Sequence, residues 1–109
     1  MSDAFNDREK GFERKFEFDQ ELEFRVQARR DKLLGGWVAA KLGKTGASVD
    51  AYANDVAAAN FDHPGDGDMI AKILRDLKAE QVAVSELEIT RKLAEFRIEA
   101  EKQIKGERR

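Results

Sequence analysis

The stretch DQELEFRVQARRDKLLGGWVAAKL, residues 19–42, decides the fold. Leu22, Val26, Leu33 and Trp37 recur at helical intervals, so that one stripe of a helix is apolar, and Leu34, Val38 and Leu42 widen it. Trp37 is expected at the centre of the core. The pair Gly35-Gly36 interrupts the pattern at a cost of roughly 1 kcal/mol per glycine relative to alanine. Such a pair implies either a bend or a second helix lying close against the backbone. The turn Gly43-Lys44-Thr45-Gly46 ends the segment.

Three further segments follow the same period. One covers 48–61, with Val49, Tyr52, Ala53 and Val56 inward, and the breaker run Asp62-His63-Pro64-Gly65-Asp66-Gly67 closes it. The next starts near Asp66 or Asp68, either of which can cap it, and carries Met69, Ile70, Ile73, Leu74 and Leu77. The last opens on a capping box, Ser85 with Glu88, and Val84 is placed to staple against Ile89. Its apolar face is Ile89, Leu93, Phe96, Ala100 and Ile104. No alternating run of useful length occurs, so the expected fold is all-α, a small four-helix bundle with short connections.

The composition agrees. The chain has 109 residues, 41% hydrophobic and 39% charged, with one proline. It is too apolar for outright disorder and too charged for a sheet sandwich. Twenty basic residues against 22 acidic ones give a net charge of −2, so the basic field of a nucleic-acid binder is missing. There is no cysteine, which excludes disulfides, thiolate metal sites and thiol nucleophiles, and a single histidine leaves no His-only metal site. No apolar run of about 18 residues and no signal-like N-terminus is present, so membrane insertion is not expected and a cytosolic location is.

The bundle accounts for residues 19–109 and leaves 1–18 as a separate arm. Four of the seven phenylalanines (Phe5, Phe12, Phe16, Phe18) fall in it, and the first 21 residues contain no Leu, Ile or Val. Phe5, Phe12 and Phe16 lie within about 40° of one another on a helical wheel, surrounded by charge. A short isolated helix is marginal in water, and Gly11 weakens this one further, so the arm is expected to be disordered or partly helical when free. The stripe either extends the first helix onto the bundle or orders in a partner's groove. Aromatic enrichment at interface cores and the missing aliphatic residues favour the groove.

Other motifs carry less. Gly43-Lys44-Thr45 echoes a phosphate-binding loop, but position 38 is Val where that loop needs Gly, and a helix rather than a strand precedes it. Lys44 and Thr45 are retained as candidates for a weak ATP or ADP contact only. Asp62, Asp66 and Asp68 lack calcium-loop spacing and read as caps and turn formers. His63 reads as an exposed turn residue, and Arg29-Arg30 as a solvated face or an interface ion-pair site. No nucleophile, base and metal set assembles, so the chain is expected not to be an enzyme, to hold no metal and to require no cofactor.

Phe5-Asn6-Asp7-Arg8-Glu9-Lys10, Phe12-Glu13-Arg14-Lys15-Phe16, Ala28-Arg29-Arg30-Asp31-Lys32-Leu33-Leu34-Gly35-Gly36-Trp37 and Leu42-Gly43-Lys44 together resemble the zeta subunit family of alphaproteobacteria, the inhibitor subunit of the F-type ATP synthase. The resemblance spans essentially the whole chain, with mild departures at Asn6 and Gly36. It implies a four-helix bundle with a mobile N-terminal inhibitory segment that enters a catalytic α/β interface of the ATPase head, beside the central rotor, and blocks ATP hydrolysis. The implied partners are the alpha, beta and gamma subunits, and the implied location is cytoplasmic, peripheral to the inner membrane through the ATP synthase. Carried onto this chain, the inhibitory positions are Phe5, Asp7, Arg8, Glu9, Phe12, Lys15 and Phe16. The competing reading is a small adaptor or scaffold bundle whose aromatic arm docks into another groove, with weak nucleotide sensing at Lys44 and Thr45.

Overall fold

The computed structural model describes the backbone of residues 2–62 and 65–107 and, within these, the side chains of residues 20–61 and 65–107. Four helices make up the described chain: α1 (Ser2–Lys41), α2 (Ala47–Asp62), α3 (Gly67–Ala79) and α4 (Glu86–Glu107). The fold is all-α, as the periodicity requires. The expectation of a mobile arm over residues 1–18 lies outside the residues whose side chains are described.

Local chemistry sets the ends. At the close of α1 the Gly43 N–H reaches the Ala40 carbonyl at 3.1 Å and the Lys44 N–H reaches the Ala39 carbonyl at 3.0 Å, with Gly43 at φ +78°. That is the paired-bond C-cap in which glycine takes the left-handed position cheaply. The same pair closes α3, from the Gln81 N–H to the Lys78 carbonyl and from Val82 to Leu77. Here the left-handed residue is Gln81, at φ +58°, a conformation that no residue-type signal announced. Ser85 caps α4 as expected, its Oγ accepting the Glu88 N–H at 3.1 Å. Asp66 occupies the N-cap position of α3 but makes no side-chain cap bond. Its carboxylate is drawn instead into the ion-pair network described below.

α1 is the hub, with α2 and α4 packing chiefly on it, while α3 rests mainly on α2. The expected apolar stripe of α1 therefore divides. Leu34, Val38 and Ala39 join Tyr52, Val56, Met69, Ile73, Leu77, Ile89 and Leu93 in the main core. Val26 joins Ala100 and Ile104 in a second cluster, flanked by Leu22 and Leu33. Trp37 is not the central residue. It is half-buried at the edge of the main core, with the Lys41 and Lys92 ammonium groups 5.5 and 5.6 Å from its ring. Two helices pressing on α1 from different sides move the core's centre onto the Leu34 and Val38 line.

Of the pair Gly35-Gly36 in α1, only Gly35 is a contact. A Cβ built there would stand 2.6 Å from the Ala53 Cα, whereas one at Gly36 meets nothing within 4 Å. The pair thus marks a close α1–α2 approach at its first member. Gly36→Ala is expected to raise stability by about 0.5–1 kcal/mol, because it removes glycine's entropy cost in a helix without a clash. Urea unfolding of parent and variant checks this; a variant no more stable than the parent would contradict it.

Candidate functional site

The positions expected to act on a partner, Phe5, Asp7, Arg8, Glu9, Phe12, Lys15 and Phe16, lie outside the described side chains, as does His63. What the structure does show is the platform from which the arm departs. Beyond residue 20, α1 is fixed to α4 by the Val26, Ala100 and Ile104 cluster and by charge. Arg97 makes a two-pronged ion pair with Glu23, and Arg29 donates to Gln103 at 2.8 Å and to Glu107 at 2.6 Å. The hydrogen bonds from Arg97 hold the Glu23 carboxyl below its usual value, outweighing the small cost of burial. At 22 residues, α4 is long enough to reach this lower part of α1. The arm's root is therefore anchored.

Arg30 is not a solvated charge. Its side chain is 11% exposed and donates to Asp31, its chain neighbour, and to Asp66, each at 2.8–3.0 Å. Asn60, buried at the end of α2, donates through Nδ2 to Asp31 at 2.8 Å and to Asp66 at 3.0 Å. One network thus ties α1, α2 and the start of α3 together, and it claims the Asp66 carboxylate that would otherwise cap α3. Asp31 is 2% exposed. Burial pushes its carboxyl above the usual aspartate range, and the bonds from Asn60 and Arg30 only partly offset this. The Asn60 Oδ1 has no hydrogen-bond partner among the described residues. Sequence reading missed Asp31 and Asn60, because a charge on a polar face and a charge under a neighbouring helix look alike in one dimension.

Above this network, Phe24 and Phe61 meet edge to face, with ring centroids 5.9 Å apart. They are 57% and 70% exposed. With Gln27, Ala28 and Ala57 they rim a cavity of about 210 Å³ floored by Asp31 and Asn60.

The loop at 43–46 is closed on itself. The Gly43 and Lys44 N–H groups serve the end of α1, and the Thr45 N–H donates to Ser48 Oγ at 3.2 Å. Those three amides are spoken for, unlike the open amides of a phosphate cradle. The Lys44 ammonium instead stands 5.7 Å from the Tyr52 ring, with Lys72 on the same ring at 5.2 Å. Tyr52 donates to Asp76 at 2.8 Å, and Lys72 donates to the same carboxylate at 2.9 Å. Burial and the Asp76 charge raise the phenol's pKa. Burial would raise Asp76, but the bonds from Lys72 and Tyr52 bring it below its usual value.

Among the described residues, no group of three acidic, histidine or cysteine side chains could hold a metal. No helix there is long and apolar enough to cross a membrane. The fold defines a small all-α bundle of four helices in which the described part of α1 is held to α4. The ATPase inhibitor subunit zeta family matches residues 1–103, and the chain belongs to that family. Its membership associates it with the ATP synthase that such subunits inhibit. A solution NMR structure resembles it with a TM-score of 0.70 at 37% identity, over 79% of this chain and 98% of the other. No curated protein matches the chain.

Proposed function

We propose that the protein inhibits the F-type ATP synthase by inserting residues 1–18 into a catalytic α/β interface of the head, next to the rotor, and so blocks ATP hydrolysis. The observation that carries this reading is the arm's composition: three phenylalanines on one helical stripe, abundant charge, and no Leu, Ile or Val to join the bundle's own core. Family membership supports the target, and the anchored root of α1 supports a wedge rather than a loose tether.

An inhibitor stalls a rotor only by binding one rotary state more tightly than the others. Phe5, Phe12 and Phe16 fill pockets open in one conformation of the interface. Arg8, Glu9 and Lys15 set register through charge pairs, which give specificity more than raw affinity. Ordering the arm costs roughly 2–5 kcal/mol of the gross interaction energy, which keeps inhibition reversible. The protein acts as a regulatory subunit without catalysis, cofactor, nucleic acid or membrane insertion of its own, in the cytoplasm at the inner membrane through the synthase, with alpha, beta and gamma as its neighbours.

Deleting residues 1–18, or replacing Phe5, Phe12 and Phe16 together by Ala, is expected to leave the helical circular-dichroism spectrum of the bundle while raising the half-inhibiting concentration about 100-fold or more, since buried aromatic anchors each contribute on the order of 2 kcal/mol at interfaces. Either variant inhibiting ATP hydrolysis as well as the parent defeats the proposal.

The cluster of Lys44, Lys72 and Tyr52 beside a cavity of about 310 Å³ supports a subsidiary reading. A weak ATP or ADP contact there would use the lysine side chains rather than the loop amides. Titration with ATP and ADP should then move the amide signals of Lys44 and Thr45; unmoved signals at millimolar nucleotide reject it.

A further inference from the structure

We infer that the cavity between Phe24 and Phe61 is a second anchor for the ATPase head, taking one large apolar side chain from the head's surface at the mouth of the groove that receives the arm. The inference rests on the arm reading above and extends it to the bundle.

Two phenylalanines more than half exposed on adjoining helices are costly to leave in water unless something covers them. They do not merely protrude. Their edge-to-face contact and the side chains of Gln27, Ala28 and Ala57 enclose a preformed concavity of about 210 Å³, room enough for a leucine, methionine or phenylalanine side chain. Its floor is held rigid by the bonds among Arg30, Asp31, Asn60 and Asp66. A pocket that need not reorganise on binding loses little affinity to ordering.

Position selects the occupant. Phe24 follows residue 18 by six positions, about 9 Å of helical rise, so a head that holds the arm in a groove brings its outer surface against this patch. A second copy of the chain is disfavoured by size. Two phenylalanines bury roughly 150–250 Å² each, well short of the ~800 Å² per partner of a stable interface, whereas the same patch adjoining an 18-residue arm needs no such area of its own. The chain's own arm is disfavoured by continuity. α1 is helical through residues 20–23 and is clamped at Glu23 by Arg97, which leaves no turn there for the arm to fold back over Phe24.

Linking the two contacts on one rigid helix makes the second binding event intramolecular. The patch should therefore add to the affinity that the arm supplies, while the arm alone makes the block. The test uses the full chain and purified ATPase. Phe24→Ser with Phe61→Ser is expected to raise the half-inhibiting concentration about 30-fold or more while leaving full inhibition attainable at saturation. A benzophenone side chain at position 61 is expected to crosslink to the alpha or beta subunit, a readout that does not depend on the double variant's stability. An unchanged half-inhibiting concentration without a crosslink overturns the inference. Stronger inhibition by the double variant also overturns it, by showing that the arm folds back, as does self-association of the parent that the variant lacks. If the arm variants inhibit like the parent, the arm reading has failed; if they lose inhibition while the Phe24 and Phe61 variant keeps it, only the second anchor has failed.

Discussion

Arg30→Met is expected to destabilise the fold by roughly 3 kcal/mol at neutral pH, and by progressively less as the pH is lowered toward 4. Arg30 is the cation in contact with Asp31, and removing one partner of a buried pair leaves an uncompensated charge at a cost of about 3–5 kcal/mol. The pH dependence follows from Asp31. Its folded-state pKa already lies above the ordinary value, and loss of the guanidinium raises it further. Between the two values the folded state binds more protons than the unfolded state. The variant's stability is therefore greatest below an aspartate's usual pKa of about 4 and falls as pH rises through the folded-state value. Glu23 and Asp76, whose folded-state pKa values are lowered, contribute the opposite way, with stability lost on acidification. Asp76 does not feel Arg30 and cancels in the difference, while Glu23 loses only the last and smallest cause of its lowering, the Arg30 charge, and keeps its hydrogen bonds from Arg97. Urea unfolding of both proteins between pH 4 and 8 measures that difference. A gap independent of pH would show that Asp31's charge is not the cause. Asp31→Asn in the variant background should recover much of the loss and remove the slope, a coupling that a double-mutant cycle reads directly.

Gly35→Val is expected to cost at least about 3 kcal/mol and to lower the melting temperature by about 12 °C or more. A Cβ at this position already lies 2.6 Å from the Ala53 Cα and 3.2 Å from the Ala53 carbonyl oxygen and the Val56 Cβ. The nearest obstacle is backbone, so neither a rotamer change nor a smaller residue at 53 makes room. α1 and α2 must separate, and that opens the main core along Leu34, Val38 and Val56, three side chains with no exposed surface. Calorimetry decides it, with Gly36→Ala as the neighbouring control that should move the other way. A melting temperature for Gly35→Val within a few degrees of the parent would refute the close approach.

The two glycines show how far reading in one dimension goes. Gly35-Gly36 told that the helix bends or is approached closely, but not which residue matters, because the distinction depends on where Ala53 lies. The same holds for Arg30 and Asp66. As residue types they are a helix-face charge and a capping acid; in the fold they close a buried network whose other members, Asp31 and Asn60, carry no periodic signal. Trp37 was misplaced for a related reason. Periodicity identifies the apolar side of a helix, but the deepest point on that side depends on the angles from which two other helices press. The arm is a reading of composition. Phe5, Phe12 and Phe16 stand apart from any aliphatic residue, so their composition alone separates them from the bundle.

By itself, then, the chain determined what short-range physics determines: four helices, the Gly43 and Ser85 caps, and most of the inward-facing residues. These follow from intervals of three and four residues and from hydrogen bonds that span five or fewer. Only the tertiary structure decided that α4 rather than α3 shares α1 with α2, that Arg30, Asp31, Asn60 and Asp66 form one unit, and that Phe24 and Phe61 frame a cavity at the root of the arm. Each of these depends on residues tens of positions apart meeting at contact distance, and no local pattern of residue types encodes that separation.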